Sequence, residues 1–292
     1  MILVDLNQVM ISNLMIQLKH SGGVVEEGLM RHMVLSSLRK YRGLFYEKYG
    51  ELVICCDDKS YWRKDLFPYY KASRKKDRQA SSIDWNTVFV TLNKIRDEIR
   101  ENMPYLVIQV PHAEADDIIA ALCHEFGHTS SRPIGEPILI LSGDKDFVQL
   151  QRYYNVDIYN PILKKEVRVD NPERYLREHI MLGDRGDGVP NFLSDDDTFV
   201  EGKRQKPISR VKLAEWCEKE PQEFCTKEML DGYMRNKSLV DLTEIPQEIK
   251  DKTLEQYYVY HLAPDIQNPR SKIIEYFMKK KLKKLMSDVQ AF

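Results

Sequence analysis

Nine acidic residues in this chain have the spacing of a shared metal site: Asp5, Asp57, Glu114, Asp116, Asp117, Asp144, Asp146, Asp184 and Asp187. Three of the clusters follow apolar runs. Ile2-Leu3-Val4 stops at Asp5, Leu52-Val53-Ile54-Cys55-Cys56 stops at Asp57, and Ile138-Leu139-Ile140-Leu141 passes through Ser142-Gly143 into Asp144-Lys145-Asp146. Carboxylates gathered in one place repel one another unless cations hold them, and hard oxygen donors select Mg²⁺ or Mn²⁺. Two such cations about 4 Å apart can clamp a scissile phosphate, one activating water and the other stabilising the leaving oxygen. Phosphodiester hydrolysis is therefore the chemistry to expect. Taken singly, each acid has a plainer explanation. Glu114, Asp116 and Asp117 open a helix, where acids cap and complement the dipole. Asp184 and Asp187 sit in Gly183-Asp184-Arg185-Gly186-Asp187-Gly188, ordinary turn chemistry. The plain explanations do not account for three strands of one sheet ending in Asp together with two further clusters.

Residues 61–78 carry a second signal, seven basic side chains among five aromatics. Lys and Arg neutralise phosphates, and aromatic faces stack on unpaired bases. Arg63, Lys64, Tyr70, Lys75 and Lys76 are the expected nucleic-acid contacts here. Lys71 and Arg74 are three apart and share a face if the segment is helical. From there they would reach over the carboxylates and hold the scissile phosphate as charge develops.

The elements that must position these groups read as an α/β sheet. Short apolar runs bounded by polar or Gly residues predict buried parallel strands at 2–4, 52–56, 106–110, 138–141 and 156–159. Helices are predicted at about 26–49, 84–102 and 114–126, with a Ser/Pro/Gly loop at 129–137. Open α/β sheets build their sites at the carboxyl ends of such strands. Beyond residue 172 the strand signals stop, and 172–182, 208–218, 221–232, 247–262 and 269–288 read as helices punctuated by Pro207, Pro221, Pro246 and Pro264. The expected fold is a mainly parallel sheet flanked by helices, in a lobe spanning 1–170, followed by a helical lobe spanning 171–292.

Composition bounds the rest. The 292 residues are 42% hydrophobic and 30% charged, and no apolar run approaches the roughly 20 residues that span a bilayer. No signal-peptide pattern opens the chain, and five scattered cysteines do not form a disulfide framework, so a cytoplasmic protein without membrane contact is expected. The net charge of −1 hides segregation: bases gather at 63–78, 203–212 and 279–284, acids at the proposed site and at Asp195-Asp196-Asp197. The Lys279–Lys284 run continues the apolar positions Ile273, Ile274, Phe277 and Met278 and predicts an amphipathic helix with a solvated basic face.

In order, Asp5 after a strand, Cys56-Asp57, Tyr70-Lys71-Ala72-Ser73-Arg74, Glu114-Ala115-Asp116-Asp117, Ser142-Gly143-Asp144-Lys145-Asp146-Phe147 and Gly183-Asp184-x-x-Asp187 resemble the 5′-nuclease family. That family includes flap endonucleases and the 5′-exonuclease domains of bacterial DNA polymerases. Within it, Ser60–Asp65, Val200-Glu201-Gly202 and Asn236–Asp241 look most like the ribonuclease H of T-even bacteriophages. The resemblance implies a PIN-like nuclease fold with a helical arch at about 60–100 that includes Lys71 and Arg74. It implies a 5′-to-3′ nuclease using two Mg²⁺, with Mn²⁺ able to substitute. Asp5, Asp57, Glu114, Asp116 and Asp144 would serve the first ion. Asp146, Asp184 and Asp187 would serve the second, Asp116 would bridge, and Asp117 would bind directly or stand behind a ligand. The implied substrates are duplex DNA and RNA–DNA hybrids with a 5′ single strand or flap, cut by a monomer. A single-strand-binding protein or sliding clamp of a replisome is the kind of partner implied, in the host cytoplasm if the chain is of phage origin. One departure stands out. Gly188–Leu193 lacks the paired glycines of the family's duplex-gripping hairpin, and an insert carrying Lys203, Arg204, Lys206, Arg210 and Lys212 is expected to supply phosphate contacts instead. With the first strand starting at residue 2, no recruiting extension is expected ahead of it. Two other classes fit less of the pattern. A phosphatase would place its Asp-x-Asp earlier, with a small residue where Phe147 stands, and a silent DNA-binding module would tolerate losses among the acids.

Overall fold

A computed structural model describes residues 1–132, 135–263 and 268–292, without the side chain of Arg270. Six strands, β1 Ile2–Asp5, β2 Leu52–Cys56, β3 Leu106–Gln109, β4 Ile138–Leu141, β5 Val156–Asn160 and β6 Lys165–Val167, form one sheet in the order β3-β2-β1-β4-β5-β6. β1 to β5 are parallel and β6 is antiparallel to β5. The chain builds outward from β1 on one side, then crosses to place β4 on the other, with Leu3 opposite both Val53 and Ile140. A crevice opens at the carboxyl ends of strands where the order reverses in this way. Asp5 and Asp144 follow the two strands that flank it.

Both faces of the sheet are covered, which is why its strands are apolar throughout. On one face lie α1 Leu6–His20, α2 Glu27–Tyr49, α5 Trp85–Asn102 and α12 Arg270–Lys279. On the other lie α6 Ala115–Phe126, a 3-10 helix Lys145–Arg152, and α11 Gln247–Leu262. Between β2 and α5, α3 Trp62–Leu66 and α4 Ser73–Ala80 stand over the carboxyl edge. α7 Pro172–Leu182, α8 Arg210–Cys217, α9 Pro221–Phe224 and α10 Lys227–Val240 share a smaller core around Phe192 and Tyr233. The helical region from 171 onward therefore does not form one body: α11 returns to pack on α6 and β3, and α12 on α5.

Four local features differ from expectation. Helix α1 was not expected, because exposed Met15 and Ile16 blur the stripe of Leu6, Val9, Met10, Leu14 and Leu18 that it buries. The single helix at 221–232 is two, because Thr226 caps a fresh start by accepting from Met229 N at 3.3 Å. The basic amphipathic helix through Lys279–Lys284 breaks. Lys281 takes φ +57°, Leu282 N bonds back to Phe277 O at 2.9 Å, and Leu282, which precedes the short helix α13 Lys283–Met286, and Leu285 within it enter the core. Burying two leucines outweighs continuing a lysine-rich face. The short strand β6 also escaped notice, being a charged edge of the kind that blocks further pairing. Pro264 lies outside the described residues, as does part of the 129–137 loop. Among the described residues no helix is long and apolar enough to cross a membrane.

Candidate metal centre

The ends of β1, β2 and β4 set the floor of the site. Asp5 ends β1 and caps α1, its Oδ1 accepting from Gln8 N at 3.0 Å and its Oδ2 from Ser142 Oγ at 3.2 Å. Asp57 follows β2; Ala115 N donates to its Oδ1 at 2.8 Å, and Asn7 Nδ2 donates to its Oδ2. Asp144 opens the 3-10 helix, accepting from Asp146 N at 3.0 Å. Backbone amides and neutral side chains thus aim these three groups, and among the described residues none of them forms an ion pair.

The wall is the start of α6 and the base of the arch. Glu114 precedes α6, and Asp117 accepts from Glu114 N at 2.9 Å in a capping box. Arg63, 1% exposed, reaches Glu114 Oε2 at 3.1 Å, Asp116 Oδ1 at 3.7 Å and Asp117 Oδ1 at 2.8 Å, and donates through Nε to Leu239 O at 2.9 Å. Trp62 Nε1 donates to Asp117 Oδ2 at 3.0 Å. Asp117, fully buried, is thereby turned toward Trp62, Arg63 and the helix start. Tyr70 Oη lies 2.9 Å from Glu114 Oε2 and 3.0 Å from Asp187 Oδ2.

The basic segment divides into buried and exposed side chains. Arg63 and Tyr70, expected to touch nucleic acid, are both buried, because Glu114, 51 and 44 residues further along the chain, draws them inward. Lys64, Lys75 and Lys76 are exposed on α3 and α4, as a phosphate contact requires. Lys71 and Arg74 do meet the carboxylates, though not through shared helical spacing. Lys71 precedes α4 in a left-handed turn (φ +54°), its N–H donates to Asp187 O at 2.7 Å, and its Nζ contacts Glu114 Oε1 and lies 3.5 Å from Asp187 Oδ2. Arg74 Nη2 lies 2.6 Å from Asp187 Oδ1. This close approach needs a glycine at 188, where a Cβ would sit 2.9 Å from Tyr69 O and φ is +75°.

The third part joins the 3-10 helix to the end of α7. Gly183 (φ +69°) turns the chain so that Asp184 accepts from Gly186 N at 2.7 Å, while Lys145 Nζ lies 3.0 Å from its other oxygen. His179, absent from the expected site, sets its Nε2 2.8 Å from Asp146 Oδ1. A lone histidine in a helix gives no local signal of this. Lys203, Arg204, Lys206, Arg210 and Lys212 of the basic insert are all exposed, and two of them form surface pairs, Lys203 with Asp197 at 2.6 Å and Lys206 with Asp195 at 3.6 Å. His112 lies away from the cluster, its N–H donating to Asp58 Oδ2 at 2.9 Å.

Electrostatics decide whether the cluster suits a cation. Among the described residues, four cationic side chains, Arg63, Lys71, Arg74 and Lys145, pair with Glu114, Asp116, Asp117, Asp184 and Asp187, so Asp5, Asp57, Asp144 and Asp146 have no Lys or Arg partner. Burial, then Asp57 beside it, pushes Asp5 up to about 7. Burial and Asp146 push Asp144 up to about 6. Burial also raises Asp57, Asp116 and Asp187. Glu114 moves down, since Lys71 and Arg63 outweigh its burial, and Asp184 moves down because Lys145 outweighs its own. Oxygen donors with surplus negative charge in a partly desolvated crevice fit a hard divalent ion.

The raised pair has a thermodynamic consequence. Asp5 and Asp144 ionise at higher pH folded than unfolded, so their contribution to stability falls as pH rises from about 4 through about 7. A bound cation removes that loss. Thermal melts should therefore show a Mg²⁺- or Mn²⁺-induced rise in Tm that is larger at pH 8 than at pH 5.5. A rise independent of pH would mean these carboxyls do not meet the ion.

Comparison with known proteins covers the whole chain. The family described as "5′-3′ exonuclease, N-terminal resolvase-like domain" matches residues 2–180, and that described as "T4 RNase H, C terminal" matches residues 171–292. The chain is 32% identical over 304 residues to the ribonuclease H of Enterobacteria phage T4, covering 99% of this chain and 95% of that protein. It is 27% identical over 154 residues to the 5′-3′ exonuclease of Buchnera aphidicola subsp. Acyrthosiphon pisum, covering 50% of this chain and 49% of that one. A bacteriophage T5 flap endonuclease variant, solved as a pseudo-enzyme–product complex with DNA and metal ions, superposes with a TM-score of 0.59 at 14% identity, covering 89% of this chain and 98% of that one. The T5 5′-exonuclease with bound divalent zinc superposes with a TM-score of 0.56 at 17% identity, again covering 89% and 98%. These structural likenesses show a shared fold.

Proposed function

This chain belongs to the 5′-3′ exonuclease family, and on that premise we propose that it is a Mg²⁺-dependent 5′-to-3′ nuclease with RNase H and flap endonuclease activity. It would remove RNA primers and the adjacent DNA from lagging-strand fragments. The observation that carries this reading is the gathering of nine carboxylates around the crevice, four of them without a Lys or Arg partner, overhung by a basic arch. Asp5, Asp57, Glu114, Asp116 and Asp144 would hold one cation and Asp146, Asp184 and Asp187 the other, with Asp116 reaching both. Bound there, the two ions supply an activated water and charge stabilisation at the leaving oxygen.

The protein's own groups have separate tasks. Asp117 fixes the start of α6 and the Arg63 fork, so Glu114 and Asp116 hold their aim. Lys71 and Arg74 stand at the mouth against Asp187, where a scissile phosphate would compete for them and receive preorganised positive charge. Lys64, Lys75 and Lys76 face solvent along the path of a 5′ single strand. The lobe spanning 1–170 would carry the chemistry and the helices from 171 onward the duplex, with Lys203, Arg204, Lys206 and Arg210 as the exposed phosphate contacts of the insert. A monomer acting in the host cytoplasm alongside a single-strand-binding protein or sliding clamp completes the reading.

Product analysis tests it. End-labelled 5′-flapped, nicked duplex and a matching RNA–DNA hybrid are incubated with the chain in Mg²⁺, in Mn²⁺ and in EDTA. Short products from the 5′ end in either metal, absent in EDTA, are expected. Substrate bound tightly but left intact in all three would mark a silent DNA-binding module instead.

A further inference from the structure

His179 has no role in the reading so far, yet it is built into the crevice. It lies in the last turn of α7 and is 7% exposed. Its Nε2 is 2.8 Å from Asp146 Oδ1 and 3.8 Å from Asp184 Oδ2. Neither neighbour lies on its own helix. α7 packs along the 3-10 helix that carries Asp146, and Gly183 folds Asp184 back beneath the ring, where a Cβ would meet Val189 O at 2.4 Å. One ligand atom each from Asp146, His179 and Asp184 lie within 4.8 Å of one another. Lys145 Nζ closes the outer side, 3.0 Å from Asp184 Oδ2.

That spacing matches a coordination sphere. Donor atoms about 2.1 Å from one ion lie about 3 Å apart when they are at right angles and about 4 Å apart when opposite. The two His179 separations fall close to those limits. The Asp5, Asp57 and Asp144 side of the crevice is different in kind: its donors are all oxygen, and its neighbours are amides and hydroxyls.

We infer that His179 is a nitrogen ligand, through Nε2, of the cation held by Asp146 and Asp184, so that the two metal positions differ in preference. The all-oxygen position would take Mg²⁺, and the position with an imidazole would favour Mn²⁺, Co²⁺ or Zn²⁺ over Mg²⁺. This rests on the metal-dependent nuclease reading and adds to it a division of labour between two ions.

The test is spectroscopic. The full chain receives one equivalent of Mn²⁺ in excess Mg²⁺, and pulsed EPR reads nuclear couplings to the manganese. Protein grown with ¹⁵N-histidine is measured beside unlabelled protein. The expected result is a directly bound nitrogen whose coupling changes with the label and disappears in His179→Gln. In that variant Mn²⁺ affinity falls by about tenfold or more, and Mg²⁺ affinity, read by competition, falls less. Manganese that binds without nitrogen coupling overturns the ligand assignment and leaves the nuclease reading standing. So does an equal loss of both affinities in the variant, which marks a hydrogen bond that merely orients Asp146. A chain that binds no Mn²⁺ at all overturns both. The labelled wild type decides the matter even if the variant folds poorly.

Discussion

Asp146→Asn is expected to slow cleavage from the 5′ end by about 10³-fold or more on both flapped duplex and RNA–DNA hybrid, a loss larger than that of an outer supporting residue. The substitution keeps shape and removes one charge. The 3-10 helix should survive it, because its backbone ties do not depend on the carboxylate: Asp146 N still reaches Asp144, and Gln149 Nε2 still donates to Asp146 O at 2.9 Å. What is lost is an anionic oxygen at the position where His179 and Asp184 converge. Relief of repulsion makes a second, opposite expectation. Asp146 contributes to holding Asp144 and Asp187 above the ordinary carboxylate range. The variant without metal should therefore melt no lower than wild type, and the Tm gain on adding Mn²⁺ should shrink. Activity within tenfold of wild type, at unchanged stability, would remove Asp146 from the metal site.

Arg63→Ala should cost about 3–5 kcal/mol of stability, because it strips the counter-charge from buried carboxylates. The side chain of Arg63 is 2% exposed and those of Glu114 and Asp117 are 3% and 0% exposed, so water cannot replace the guanidinium. Leu239 O would lose its donor as well. The pH dependence gives the mechanism away. Glu114 is held below its ordinary value in the intact protein, so its contribution is present above about pH 4.5 and fades as pH falls through the lowered value. The gap between wild type and variant should therefore narrow in acid. Arg63→Lys keeps the charge but not the fork and should fall between the two. Urea denaturation at pH 7.5 and pH 3 measures both. A loss under about 1 kcal/mol, the scale of an exposed pair, would show that the network is not what holds the arch base to α6.

The parts of this molecule legible in the sequence share a property: their signals are local. β1, β2 and β4 are short apolar runs, and each is followed by an acid because the chain leaves the core there. Asp5, Asp57 and Asp144 could be placed at one edge before any coordinates, since parallel strands present their carboxyl ends together. The trio at 114–117 was legible as a helix start, and Asp117 does cap that helix. Basic residues in 61–78 could be counted but not sorted. Lys64, Lys75 and Lys76 face solvent while Arg63 and Tyr70 face inward, and nothing within the segment distinguishes them. Their direction depends on Glu114, Asp117 and Asp187, which the chain reaches only after building β3.

The same limit explains the remaining differences. The break at Lys281 depends on a hydrophobic pocket that Phe277 and Phe292 close from both sides of the turn. The return of α11 and α12 to opposite faces of the sheet depends on faces that residues 1–126 had already formed. Partial neutralisation of the basic insert by Asp195 and Asp197 depends on a loop closing on itself. For His179, the determining contact is with Asp146, 33 residues away on an element of another kind.

By itself, then, the sequence determined which residues could leave the core carrying charge, because apolar periodicity is written residue by residue. Only the tertiary structure decided which charges meet. The energy of a buried carboxylate is set by what stands within a few ångströms of it in space, and that distance bears no relation to separation along the chain.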